Sequence, residues 1–107
     1  MKTLVTGGAG FVGSHLVADL VSDGHEVTVF DNVSRGARDR LDDVVDVTFV
    51  EGDIRSRDEL ASAADDPEVI FHLAAINGTK NFYERPLAVL DVNVTGTQNV
   101  VNLARDE

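Results

Sequence analysis

Apolar positions along the chain form two alternating kinds of run. Thr3-Leu4-Val5-Thr6, Glu26 to Phe30 and Val47-Thr48-Phe49-Val50 are short and rich in β-branched residues, as strands are. Val69 to Leu73 is continuously apolar, the pattern of a parallel strand buried on both faces. Helical spacing lies between these runs. From Phe11 to Asp23, residues Val12, Leu16, Val17, Leu20 and Val21 share one face, and Gly24 follows as a stop signal. Ser56-Arg57-Asp58-Glu59 forms a capping box, Ser at the N-cap and Glu three residues on, opening a short helix through Ala64. Pro86 stands where a first helical residue tolerates proline, and Leu87 to Ala104 reads as one long helix. Residues 32–43 are polar and read as loop with room for a short helix. Residues 77–81 read as loop.

This order, strand then helix four times over, predicts an α/β fold: a parallel sheet of about four strands with right-handed crossovers and helices on both faces. At 107 residues the chain is one domain, and no repeat or linker divides it. Leu87, Val89, Leu90, Val92, Val94, Val100, Val101 and Leu103 occupy more than one face of the last helix, which predicts burial on two sides. Gly96, in mid-helix, costs about 1 kcal/mol against alanine. Close packing on the sheet or on another helix is the expected compensation.

The candidate chemistry begins at Thr6-Gly7-Gly8-Ala9-Gly10-Phe11-Val12-Gly13, between the first strand and the first helix. Two glycine frames coexist there: Gly8, Gly10 and Gly13, or Gly7, Gly10 and Gly13. In either, the first glycine turns the chain off the strand, Gly10 lets a diphosphate approach the backbone, and Gly13 permits tight helix packing. The helix start offers unpaired N–H groups and the positive end of its dipole to an anion. Asp31 ends the second strand, about 20 residues on, where a dinucleotide-binding unit places an acid for the ribose hydroxyls. A carboxylate there repels a 2′-phosphate and favours NAD over NADP, although Arg35 and Arg38 lie close enough in sequence to offset this.

Charge and composition narrow the partners. Nineteen acids against nine bases leave a net charge of −10, which disfavours nucleic acid and anionic membranes as partners. The acids are scattered, and two readings stand: ordinary solubility, or adaptation to high salt. The absence of cysteine excludes disulfides, thiol catalysis and Cys-ligated metal, and fits a reducing compartment. No apolar run approaches the roughly 20 residues of a membrane helix, and no signal sequence is visible, so a cytoplasmic location is expected. His15, His25 and His72 share no ligand spacing, and no metal site is expected; His72 reads as a buried, hydrogen-bonded strand residue.

These motifs together resemble the N-terminal part of an extended short-chain dehydrogenase/reductase, of the NAD-dependent epimerase/dehydratase kind that acts on nucleotide sugars. The resemblance implies the first half of a Rossmann-type sheet, with NAD as cofactor. Gly7, Gly10, Phe11, Val12 and Gly13 resemble the glycine loop, and Asp31-Asn32-Val33-Ser34-Arg35-Gly36 is similar to the ribose-binding turn, with Asn32, Ser34 and Gly36 beside the acid. Gly52-Asp53-Ile54 resembles the segment whose acid contacts adenine, which assigns Asp53 and Ile54. His72-Leu73-Ala74-Ala75 looks like the strand end lying along the cofactor, which assigns Leu73, Ala74 and Ala75. Asn93-Val94-Thr95-Gly96-Thr97 resembles the helix motif whose Asn supports the active site. The implied chemistry removes a hydride from a sugar carbon to NAD; epimerases return it to the other face and dehydratases lose water in between. A homodimer through the long helix is implied as well.

One departure is large. The family's base is a Tyr-x-x-x-Lys pair, yet the sole tyrosine here, Tyr83, has Leu87 four residues on. No catalytic residue is therefore assigned, and the chain is expected to be a fragment or truncated product that does not turn over substrate alone. Three readings stay open: the cofactor-binding portion of an enzyme, a non-catalytic dinucleotide-binding or redox-sensing module, and a structural domain with an empty loop. Thr79 and Lys80 read either as solvated loop residues or as contacts to a phosphate or sugar.

Overall fold

Successive residues of a strand face opposite sides of a sheet, and here both sides are filled. In a computed structural model, which describes residues 1–32, 46–64, 66–75 and 79–106, the strands are β1 (Lys2–Thr6), β2 (Glu26–Asp31), β3 (Val47–Glu51) and β4 (Val69–His72). All pair in parallel, in the order β3-β2-β1-β4. On one face Leu4 and Phe30 meet Leu60, Ile54, Val92, Val100 and Leu103. On the other, Val5, Val27 and Val29 meet Ala9 and Val17. The expected layering, helices on both faces of a four-stranded parallel sheet, is thus present.

The helix of the second face is α1 (Phe11–Ser22). Gly24, at φ +87°, closes it: Gly24 N–H donates to Val21 O and His25 N–H to Leu20 O, both at 3.0 Å, the paired bonds of a Schellman motif. Its apolar stripe differs from the expectation at one position. Val17 is buried and Leu16, Leu20 and Val21 are partly so, but Val12 is 67% exposed, because the first turn projects past the strand ends.

The first face carries α2 (Arg57–Ala63) and the C-terminal helical run. Ser56 Oγ accepts from Glu59 N–H as the capping box requires, at 3.3 Å. The reciprocal arm goes elsewhere: Glu59 Oε2 accepts from Asp53 N–H at 3.0 Å, stitching the preceding loop to the helix.

Three expectations change after β4. The strand is half-buried rather than fully buried, because it stands at the edge of the described sheet. Residues 79–81, read as loop, begin a short helix, α3 (Thr79–Glu84), on which Lys80 is exposed. The long helix is continuous in path but is α4 (Pro86–Leu90), a π turn (Asp91–Thr95) and α5 (Gly96–Asp106), the wider turn closed by Gly96 N–H on Asp91 O. A Cβ on Gly96 would lie 2.4 Å from Ile54 Cδ1, so this glycine exists to admit the loop residue Ile54 rather than the sheet. Residues 33–45, with the possible helix there, lie outside the described residues.

Candidate functional site

Sheet order reverses direction between β1 and β4, and an open α/β sheet binds ligands in the crevice beyond the strand C-termini at such a switch point. Thr6 and His72 are register partners at that edge. The glycine loop leaves one of them and Leu73-Ala74-Ala75 leaves the other.

Geometry selects the glycine frame. Gly7 has φ +74°, and a Cβ there would lie 2.7 Å from Ala74 N and 2.8 Å from Leu73 C. No side chain could be accommodated, so Gly7 both turns the chain and lets the second strand end lie against it. Gly13 packs on the turn itself rather than on a strand, since its Cβ would lie 2.2 Å from Gly7 O and 2.8 Å from Gly8 Cα. Gly8 serves the core: its Cβ would overlap Val29 and Val17. Gly10 is different. It is the N-cap of α1, with no side-chain cap, and its Cβ would meet one atom, Gly7 O, at 3.3 Å. Open space therefore faces the helix start, where the first N–H groups lack intrahelical partners. This uncapped, glycine-walled helix end fits a diphosphate.

Asp31 is buried, and its Oδ2 accepts from Ala9 N–H at 3.0 Å. The acid expected to meet a ribose is thus engaged with the glycine loop from the neighbouring strand, a role invisible in sequence spacing. Asn32 follows it and is exposed. Ser34 and Gly36, with Arg35 and Arg38, lie outside the described residues. At the crevice mouth Phe11, Val12 and Leu73 are 72%, 67% and 40% exposed, an apolar rim beside the polar turn. Phe11 packs edge-on against His15 at 5.2 Å.

The loop after β3 closes one side. Asp53 is clasped by Arg55, whose Nη2 lies 2.6 Å from Oδ2 and whose Nε lies 2.9 and 3.1 Å from Oδ2 and Oδ1. The Arg55 hydrogen bonds hold the Asp53 carboxyl below its ordinary range, against a smaller opposing effect of burial. Arg55 Nη1 also lies 3.6 Å from Asp91, joining this loop to the start of the π turn. Ile54 turns its side chain into the core, leaving its backbone for the loop, where its carbonyl accepts from Asn99 Nδ2 at 2.8 Å. Asn93 sits in the π turn, half-buried, and its carbonyl accepts from Thr97 Oγ1 at 2.6 Å.

The structure thus gathers Gly7, Gly10, Gly13, Asp31, Leu73 and Ala74 at one strand-end crevice, while Asp53 and Ile54 follow β3 and Asn93 lies in the π turn. Sequence reasoning passed over Thr6, Ala9, Arg55 and Thr97, since each acts on a partner far along the chain or on backbone. No group of three or more metal-ligating side chains occurs among the described residues, and no helix there is long and apolar enough to cross a membrane. An open groove lined by Asp66, Pro67, Glu68, Ile70 and Ala104 lies at the opposite end of the strands, where two carboxylates make a poor seat for an anion.

The profile of the NAD dependent epimerase/dehydratase family matches residues 3–107. The chain is similar to a UDP-glucose 4-epimerase from Klebsiella pneumoniae, 37% identical over 98% of this chain and 81% of the relative. It is similar also to a UDP-N-acetyl-alpha-D-glucosaminuronate decarboxylase from Bacillus cytotoxicus, 35% identical over 96% of this chain and 32% of the relative. Among solved structures it resembles a Thermus thermophilus UDP-glucose 4-epimerase in complex with NAD, with TM-score 0.91 and 37% identity over 99% of this chain and 34% of that one. The chain therefore spans about a third of the length of several proteins it matches.

Proposed function

Because the chain belongs to the NAD dependent epimerase/dehydratase family, we propose that it is the NAD-holding portion of an enzyme that transforms a nucleotide sugar. One observation carries this reading: at the switch point, Gly7 and the Leu73–Ala74 backbone are in such contact that no Cβ fits between them, beside an uncapped helix start. Gly7, Gly10 and Gly13 would hold the diphosphate against the start of α1. Phe11 and Val12 would supply backbone N–H groups and apolar cover. Asp31, with Asn32, Ser34 and Gly36, would hold the adenosine ribose, and the buried carboxylate favours NAD over NADP. Asp53 and the Ile54 backbone would meet adenine, Leu73, Ala74 and Ala75 would line the cofactor, and Asn93 would support the reaction site. When bound, NAD supplies a reversible hydride acceptor. This chain's residues bind and orient it.

The substrate is proposed to be a nucleotide sugar, because the relatives' names carry UDP-sugars. Turnover by this chain alone is not expected, since Tyr83 lacks a lysine four residues on. A homodimer is proposed through the outer face of the long helical run, where Leu87, Leu90, Val94 and Val101 are 81%, 58%, 53% and 59% exposed.

Calorimetric titration with NAD and NADP tests the reading. Saturable NAD binding, weaker for NADP and lost in Asp31→Ala, is the expected result. A folded chain that binds neither dinucleotide would refute it.

A further inference from the structure

His72 lies between two hydroxyls. Its Nδ1 is 2.6 Å from Thr6 Oγ1 and its Nε2 is 3.1 Å from Thr97 Oγ1. Distances alone do not say which ring nitrogen carries the proton, but the neighbours do. Leu73 N–H is shared between the Thr6 carbonyl at 2.9 Å and Thr6 Oγ1 at 3.1 Å, and Ala74 N–H donates to Thr6 Oγ1 at 3.2 Å. A hydroxyl has two lone pairs and one proton. With both lone pairs engaged, Thr6 has its proton left to donate, and Nδ1 must be the acceptor. At the other end Thr97 Oγ1 donates its single proton to Asn93 O at 2.6 Å, so toward His72 it can only accept. Nε2 must therefore carry the ring proton. Two independent counts, one at each end, demand the same neutral tautomer.

The result is a one-directional relay: Leu73 and Ala74 N–H to Thr6, Thr6 to His72, His72 to Thr97, Thr97 to the Asn93 carbonyl. It begins on the backbone strip that packs against Gly7 and ends in the π turn. It crosses from β1 through β4 to α5.

We propose that His72 is a positioning residue, locked as the Nε2-protonated imidazole, that holds the Leu73–Ala74 strip and the Asn93 turn in fixed mutual register. This rests on the NAD-holding role proposed above for that strip. A cationic His72 would present a second N–H to Thr6, an oxygen with no lone pair left, and burial of the ring opposes the charge in the same sense.

The test begins with long-range nitrogen–proton NMR of the imidazole rings in the full chain. The expected spectrum shows neutral His72 at pH 7 with its proton on Nε2, and a mixture of tautomers in Thr6→Val. A proton on Nδ1, or tautomer averaging in the unmodified chain, overturns the proposal. Amide exchange then reads the register. Thr97→Val removes one hydroxyl from an exposed helix position, so folding is retained. It should speed exchange in the π turn at least tenfold and weaken NAD about tenfold, a coupling of 1.4 kcal/mol, with both effects rescued by Thr97→Ser. Unchanged exchange and affinity in Thr97→Val would overturn the positioning role. If the unmodified chain binds no NAD while the tautomer and exchange results hold, the NAD-holding reading fails and the relay stands.

Discussion

Gly10→Ala and Gly13→Ala should separate ligand binding from folding within one turn. At Gly10 the backbone is φ −74°, ψ 176°, open to any residue, and the new methyl meets one atom, Gly7 O at 3.3 Å. Alanine is a poorer N-cap than glycine by roughly 0.5–1 kcal/mol. It also stiffens the unfolded chain, which returns about 0.4–1 kcal/mol. Stability should therefore stay within about 0.5 kcal/mol of the unmodified chain. The methyl occupies the space in front of the helix start, however, and would cost the proposed diphosphate a charge-assisted hydrogen bond worth about 1.5–3 kcal/mol. Binding should weaken about ten- to a hundredfold. At Gly13 the methyl would sit 2.2 Å from Gly7 O, backbone that cannot rotate away. The helix must retreat by more than about 1 Å to restore ordinary contact, at a cost of about 3 kcal/mol, the upper end for overpacking, against roughly 1 kcal/mol of gained helix propensity. Each net kcal/mol lowers the melting temperature of a chain this size by about 4–8 °C. Thermal melts paired with NAD calorimetry read both effects. Gly10→Ala binding NAD with undiminished affinity, or Gly13→Ala melting at the unmodified temperature, would refute the division of labour.

Further outcomes follow from the same geometry. Gly96→Ala should lower the melting temperature by several degrees at about 4–8 °C per kcal/mol. Adding Ile54→Val should recover only part of it, because it removes Cδ1 at 2.4 Å and leaves Cγ1 at 2.6 Å; two fully additive losses would contradict that pairing. Asp53 sits below its unfolded value near 3.8, so its stabilisation is present above that pH and lost as pH falls through the lower folded value. Arg55→Ala should raise the Asp53 pKa toward 3.8 in a carboxyl NMR titration and shrink this acid limb, by under about 1 kcal/mol since the side chains are 41% and 29% exposed. His72, depressed by burial, contributes fully above about 6.5 and progressively less as pH falls; an imidazole NMR titration should place its midpoint below 6.5, and a midpoint at or above 6.5 would contradict this. With a net charge of −10, the melting temperature should climb from low to molar KCl; a flat curve would assign the acids to solubility alone.

Local patterns made the strands, α1 and the glycine loop legible. A β-branched run, a 3.6-residue stripe, a capping box and a glycine stop are each decided by neighbours a few residues apart, and the elements appear where those signals lie. The parallel order and the two-sided burial also follow, because Leu4 and Val5, or Val29 and Phe30, must face opposite layers. What the sequence left open was decided by contacts between residues far apart in it. The spacing allowed Gly7 or Gly8 to lead the loop, and the approach of Leu73 and Ala74 chose Gly7 while Val29 claimed Gly8. A helical stripe from Leu87 to Ala104 carries no sign of a π turn, which sits where Ile54 presses on Gly96 and Thr97 takes the Asn93 carbonyl. Asp31 is placed by its distance from the glycines, yet its bond to Ala9 exists because β1 and β2 are neighbours. His72 offers two nitrogens in sequence, and only the hydroxyls that the sheet and the helix bring to its sides determine which one holds the proton.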